Sequence, residues 1–400
     1  MKVCLVRCPA PFLVDEYCLP PLGLMAVGTA LKQAGHEVTI HDGPMDQLPM
    51  GFSHYGFGPT IAEYSSALTM MNRIKDDNPS ARVVIGGPHA TVNLEVCVGD
   101  GFDCVVHGDG EFVAEKAFFG KDRILYSEEH PLDDYPIIDR SLLDIHKYKF
   151  IVDGRYATTM MTSQGCPYKC GFCSKNYASV RFRSPESVLK EIRSIRYDFG
   201  FTAIAFPEDL FILDKKRTEV ICGYLKEMGM YWRCLVRADT VVRHGPEFVR
   251  MMADSGCRAV GMGIESGSDK ILSIVNKGEK AETIREAVRM LKGNGMAVKG
   301  FFILGLPGES PETLAETRRF LTEAKLDDVD IKIYQPYPGT PIWRDKAKYD
   351  IDWSEASDYG SMFYKGKAGD YRGSVRTSSL TTEQIYDAWV DMEGEFKKYA

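Results

Sequence analysis

Cys166, Cys170 and Cys173 form a CxxxCxxC array within eight residues. Thiolates gathered so tightly can wrap one inorganic centre, and thiolate-only sites favour zinc or iron-sulfur. Structural zinc normally takes four ligands in paired CxxC form. Three thiolates fall one short of that, whereas a 4Fe-4S cluster can be held by three and keep one iron free for another ligand. The spacing therefore points to an open, catalytic iron, with a zinc site or three core cysteines as the plainer alternative. The other eight cysteines, Cys4, Cys8, Cys18, Cys97, Cys104, Cys222, Cys234 and Cys257, are scattered. Without an export signal they read as reduced thiols, most of them buried as small hydrophobes.

A centre of this kind needs a scaffold. The 400 residues, 44% hydrophobic and 26% charged, predict about two globular domains at roughly 150 residues each. The formal net charge of −7 disfavours nucleic acid as a partner. No apolar run reaches the ~18 residues of a membrane span and no signal peptide opens the chain, so a cytoplasmic protein without membrane contact is expected. Residues 1–130 alternate short apolar strands with helices, which predicts a doubly wound parallel α/β sheet. Ligands of such sheets bind beyond the carboxyl ends of the strands, where Gly86-Gly87-Pro88-His89 and Gly108-Asp109-Gly110 fall. Arg7-Cys8-Pro9-Ala10-Pro11 after the first strand lacks the glycines of a dinucleotide site. Residues 131–150 read as a connection. Six strand-helix repeats follow over 151–345, too few for a closed eight-stranded barrel, and predict a partial barrel with its site at the strand ends. Residues 346–400 form a polar tail with one closing helix from Thr381 to Tyr399.

Here the chain resembles the radical S-adenosylmethionine (radical SAM) superfamily, whose signature is this cysteine spacing after the first strand of a partial (βα)6 barrel. The resemblance implies a 4Fe-4S cluster on Cys166, Cys170 and Cys173, SAM chelated at the free iron, and reductive cleavage to a 5'-deoxyadenosyl radical that takes hydrogen from a small-molecule, natural-product-type substrate. It also implies an external one-electron reductant, flavodoxin- or ferredoxin-like. Residue by residue, Glu208 matches the polar group at the SAM amino end, with Asp209 as its rival, and these two are the catalytic candidates. Arg237 matches the cation that pairs with the SAM carboxylate, a task suited to a guanidinium fork. Glu265 and Ser266 match the ribose-contacting segment, Ile303, Leu304 and Gly305 the adenine-holding strand end, and Phe172 a stacking partner. Tyr334, Gln335, Tyr337 and Trp343 are candidates for the substrate pocket, with core or lid packing the plainer and favoured reading.

Pro20-Pro21-Leu22-Gly23-Leu24, Gly86-Gly87-Pro88-His89-Ala90-Thr91 and Gly108-Asp109-Gly110-Glu111 resemble the cobalamin (B12)-binding domain of one radical SAM subgroup, in which cobalamin carries a methyl group from SAM to carbon. The chain has no DxHxxG, so a corrinoid here would lack that axial histidine; His89 and His107 read better as hydrogen-bonded turn residues. Three features set the domain apart. The dozen residues between His41 and Tyr55 leave no room for a covering helix, Tyr55-Gly56-Phe57 is a poor apolar strand, and the segment after Glu111 reaches the connection quickly. These features point to a pared-down sheet that need not keep a corrinoid cavity. The subgroup resemblance implies cobalamin-dependent C-methylation, with two alternatives: a cobalamin-free dehydration or deoxygenation of a polyol or aminosugar, in which Asp214 and Asp239 could join Glu208 and Asp209 around an amine, and a non-enzymatic iron-sulfur or zinc scaffold.

Overall fold

The computed structural model describes all residues except 11–14, 175, 176, 178, 354–372, 399 and 400, and the described chain divides into two units, Met1–Lys149 and Phe150 onward. The N-terminal unit is a parallel sheet of β1 (Lys2–Val6), β2 (Glu37–His41), β3 (His54–Phe57), β4 (Arg82–Ile85), β5 (Cys104–His107) and β6 (Ile124–Tyr126), in the order β2-β1-β3-β4-β5-β6. Its strands are apolar along most of their length because helices cover both faces, as parallel sheets require. Between β2 and β3 only a 3-10 turn, Met45–Gln47, replaces the usual helix.

Two expectations change here. Tyr55-Gly56-Phe57 is an interior strand, paired with β1 on one side and β4 on the other. Its glycine is a packing requirement: a Cβ on Gly56 would stand 2.5 Å from Phe118 Cζ, so the Phe118 ring covers the strand where a side chain is missing. Phe118 belongs to the helix Ala114–Phe119, which with β6 extends the sheet after Glu111 instead of running straight to the connection. Residues 131–149 pack in this unit too: Asp139 pairs with Lys32 at 2.6 Å and donates its backbone N–H to Thr29 Oγ1 at 2.9 Å.

The second unit is a seven-stranded sheet in the order β15-β14-β13-β12-β11-β8-β7. Its strands are β7 (Phe150–Val152), β8 (Arg155–Thr159), β11 (Ala203–Phe206), β12 (Tyr231–Val236), β13 (Cys257–Glu265), β14 (Ala297–Leu304) and β15 (Asp328–Ile333). Six are parallel and β7 is an antiparallel edge. The first and last strands do not pair, so the sheet is an open half-barrel with helices on its outside. The closing helix Thr382–Phe396 packs on β15, where Trp389 donates to Ile331 O at 2.9 Å. A short ribbon, β9 (Ser163–Gln164) with β10 (Arg181–Phe182), staples the base of the cysteine loop.

Candidate active site

The loop between β9 and β10 carries all three array cysteines, and its described residues are held at several points. Gly165 sits at φ +85°, where a Cβ would stand 2.1 Å from Ser179 O. At the apex Gly171 donates to Val275 O at 2.7 Å and accepts from Ile342 N at 3.0 Å, while Asn276 donates to Lys169 O at 2.9 Å. Arg183 and Arg217 hold the stem, bonding Met161 O at 2.9 Å and Thr162 O at 2.7 Å. A loop tied at stem and tip presents its thiols in a defined arrangement.

Burial raises the Cys166 thiol pKa, and Asp209 and Cys170 raise it further. Cys173 reaches solvent, yet the protein around it pushes its pKa up to about 11, with Asp209, Cys170, Cys166 and Glu265 adding negative charge. The three thiols and two carboxylates thus repel one another's ionised forms, and a cationic centre relieves that repulsion while displacing the thiol protons. Among the described residues no three His, Cys, Asp or Glu side chains gather closely enough for a single metal ion. Three soft thiols without a fourth cysteine or histidine suit an iron-sulfur cluster with an open iron better than tetrahedral zinc.

Three strand ends bring charge to this loop. At the end of β11, Glu208 is turned inward: its carboxylate accepts from Thr162 N and Ser163 N and from Thr162 Oγ1, fastening β8's extension to β11. Asp209, the next residue, is open to solvent but hemmed in by protein that raises its carboxyl pKa. It is the neighbour felt by both Cys166 and Cys173.

Arg237, at the end of β12, is buried with its Nη1 4.0 Å from Cys170 Sγ and its guanidinium carbon 3.6 Å from the Tyr168 ring centroid. It pairs with Asp239 at 3.1 Å and Glu279 at 3.5 Å. Glu265 ends β13 beyond a register shift, at φ +65°, a left-handed conformation that costs a non-glycine residue on the order of 1–3 kcal/mol. Lys277 holds it there at 2.9 Å. Gly263 makes room, since its Cβ would stand 2.6 Å from Glu265 Oε1 and 3.1 Å from Lys277 Nζ.

The sequence matches the radical SAM superfamily over residues 160–321 and the B12 binding domain over residues 12–117. An uncharacterized methyltransferase of Pyrococcus horikoshii is 32% identical over 386 residues, covering 86% of this chain and 82% of its own. The chain belongs to the radical SAM superfamily. The bacteriochlorophyllide d C-12(1)-methyltransferase of Chlorobaculum tepidum is 25% identical, covering 87% of this chain and 79% of its own. Among solved structures, the radical SAM methyltransferase TsrM of Kitasatospora setae, with cobalamin and a [4Fe-4S] cluster, aligns over 98% of this chain and 88% of its own with a TM-score of 0.74. OxsB, a cobalamin-dependent radical enzyme, aligns over 98% and 67% with a TM-score of 0.72. At 17% identity both speak for the fold.

The remaining candidates of this radical SAM half-barrel are placed as follows. Ser266 is fully buried, its hydroxyl 3.1 Å from Thr317 Oγ1 and accepting from Ser268 N at 3.1 Å, which shapes the turn behind Glu265. Leu304 is buried, Ile303 half-buried, and Gly305 turns the chain at φ +78°. Phe172 is half-buried on the cysteine loop. Tyr334 and Gln335 are buried, and Ser374 donates to Gln335 Oε1 at 2.9 Å; Trp343 stacks on Trp353.

Sequence reasoning missed three buried ionisable groups. Lys277 and Glu279 sit in Lys277-Gly278-Glu279-Lys280, which looks like a solvated run. Their ion pairs, with each other at 3.5 Å and with Glu265 and Arg237, join the ends of β12 and β13. Burial lowers the Lys277 pKa but Glu265 and Glu279 outweigh it, so the lysine stays charged. Glu309 is fully buried below Gly305, whose N–H it accepts, and burial pushes its pKa up to about 8. Its signal was the acid closing Gly305-Leu306-Pro307-Gly308-Glu309.

In the B12-binding unit the turns after β3 and β4 meet through bare backbone, and the turn after β5 lies against the one after β6. Gly87 (φ +79°) would put a Cβ 3.2 Å from Gly58, and Gly108 (φ +88°) one 3.1 Å from Ser127 O. Thr91 links two of them, donating to Gly87 O at 3.0 Å and accepting from Gly108 N at 3.2 Å. This glycine cradle at the carboxyl ends fits a large ligand held by backbone. His89 is buried and stacked on Tyr64 at 3.9 Å, with burial lowering its pKa to about 4; His107 rests against Tyr126. No described helix is long and apolar enough to cross a membrane.

Proposed function

We propose that this chain is a cobalamin-dependent radical SAM methyltransferase that adds a methyl group to a carbon of a small molecule. A 4Fe-4S cluster on Cys166, Cys170 and Cys173 with SAM supplies one-electron cleavage of the sulfonium, and cobalamin supplies the methyl carrier. The chain's own residues do the positioning. Asp209, free of the bonds that occupy Glu208, takes the SAM ammonium. Arg237 presents its guanidinium to the carboxylate, and Glu265 accepts from the ribose hydroxyls. The end of β14, Ile303 to Gly305, offers apolar contact and backbone for adenine.

The observation that carries this reading is the union in one chain of a three-thiol loop ringed by Asp209, Arg237 and Glu265 with a B12-type sheet. The methyltransferase relatives support it. Oxygen-free purification from cells grown with cobalamin, followed by cluster reconstitution, tests it. Expected are iron and sulfide in cluster ratio, corrin absorption bands, deoxyadenosine from SAM plus dithionite, and label transfer from methyl-deuterated SAM to the product. Zinc in place of iron, or no SAM cleavage, refutes it. The helix-free β2–β3 connection favours one second reading, the cobalamin-free dehydration; SAM cleavage without corrin bands would select it.

A further inference from the structure

Beside the cysteine loop the second unit carries a hollow of about 560 Å³ with no role in holding SAM in the reading above. Its floor is apolar: Pro167, adjacent to Cys166, with Val180, Phe182 and Leu213. Its rim is basic. Lys215 and Lys216 are exposed there at the start of the helix Lys215–Glu227, and His244 closes the other side. Lys215 is oriented by a 3.2 Å bond to His244 O, while Lys216 has no ion-pair partner among the described residues. Asp214, the acid on this wall, is engaged as the helix cap, accepting from Arg217 N at 3.0 Å.

The lysines are in the wrong place for the helix. A helix N-terminus carries partial positive charge and favours acids in its first turn, so two cations there cost up to about 1 kcal/mol each. A paired basic rim around an apolar floor, on the wall of a loop whose centre must be reduced, matches an acidic protein. Such surfaces steer an encounter by charge and hold it briefly through a small apolar contact.

We infer that this hollow is the docking surface for a small acidic one-electron carrier protein, Lys215 and Lys216 engaging its carboxylates while Pro167 and Phe182 meet its apolar centre. The inference rests on the radical reading. In the transfer the carrier is oxidised by one electron and the cluster reduced by one; no bond forms or breaks at the hollow.

The test is direct binding of oxidised flavodoxin and of a 2Fe-2S ferredoxin to the full chain, by calorimetry across a salt series. At least one should bind, with affinity falling as salt rises. The double variant Lys215→Glu/Lys216→Glu should weaken it by roughly tenfold or more, while Lys226→Glu, the same charge change per residue at the far end of that helix, leaves it within about twofold. Because acids suit a helix N-terminus, the double variant should melt no lower than the wild type, so misfolding cannot imitate the result. Dithionite-driven deoxyadenosine formation should be unaffected by the double variant, which separates this inference from the radical reading. Unchanged binding by the double variant, equal loss with Lys226→Glu, or binding of neither carrier would overturn it.

Discussion

At the carboxyl ends of its N-terminal sheet the chain offers bare glycine turns, Gly87 against the Gly58 backbone and Gly108 against Ser127 O; at the same ends of the half-barrel it offers charge, with Arg237 and Lys277 against Asp239, Glu265 and Glu279. Both are parallel sheets that deliver loops to one edge. What differs is the currency of recognition. Glycine turns let a broad ligand approach the main chain. Buried charge suits a small zwitterion, and three carboxylates against two cations leave one negative charge to be met by an incoming cationic group. The contrast shows that a shared sheet geometry sets where a ligand goes, while side-chain chemistry sets which one.

That contrast can be broken most severely at the thiols. Cys170→Ala should reduce cluster iron and sulfide to background and abolish deoxyadenosine formation, while corrin content, which depends on the other unit, stays as in the wild type; loss of both together would show that the two edges are not separate. Next comes the buried network. Lys277→Met leaves Glu265 and Glu279 without their lysine and should cost about 3–5 kcal/mol in urea unfolding, and the double variant Lys277→Met/Glu265→Gln should recover part of it. Strict additivity would mean the pair is not coupled.

A subtler difference appears with pH. Glu309 has a folded pKa of about 8 against an ordinary 4.5. Its neutral form therefore contributes stability that is complete below pH 4.5 and is lost as pH rises through 8. Glu309→Gln should remove that decline, with a gain on the order of 1–3 kcal/mol at pH 8.5 and almost none at pH 5; a parallel profile would refute the assignment. The smallest effect belongs to the glycine cradle. Gly87→Ala should cost about 1 kcal/mol for its left-handed backbone and lower corrin content, with dithionite-driven SAM cleavage unchanged. Unaltered corrin content would remove the cradle from the comparison.

The half-barrel was legible because strands of four to nine residues alternate with helices, some opened by a capping serine and a proline, as in Ser184-Pro185 and Ser310-Pro311. The cysteine array was legible because thiolate spacing is itself chemistry. Lys277 and Glu279 were not, since charge in a short loop looks solvated until the fold buries it. The strand at Gly56 escaped for a related reason: the ring that completes it, Phe118, lies some sixty residues away in sequence. At β11 the sequence presented two adjacent acids, and only the direction of each side chain separates Glu208, tied to Thr162, from Asp209, facing the thiols.

The bonds that pin Gly171 to Val275 and Ile342 also set an order of events during synthesis. The cysteines leave the ribosome about 170 residues before Ile342, a delay of roughly 10–30 s at ordinary elongation rates. For that interval the nascent polypeptide exposes an untethered trio of reactive sulfurs, and the machinery that loads iron meets either a slack hairpin or a finished one according to when it arrives.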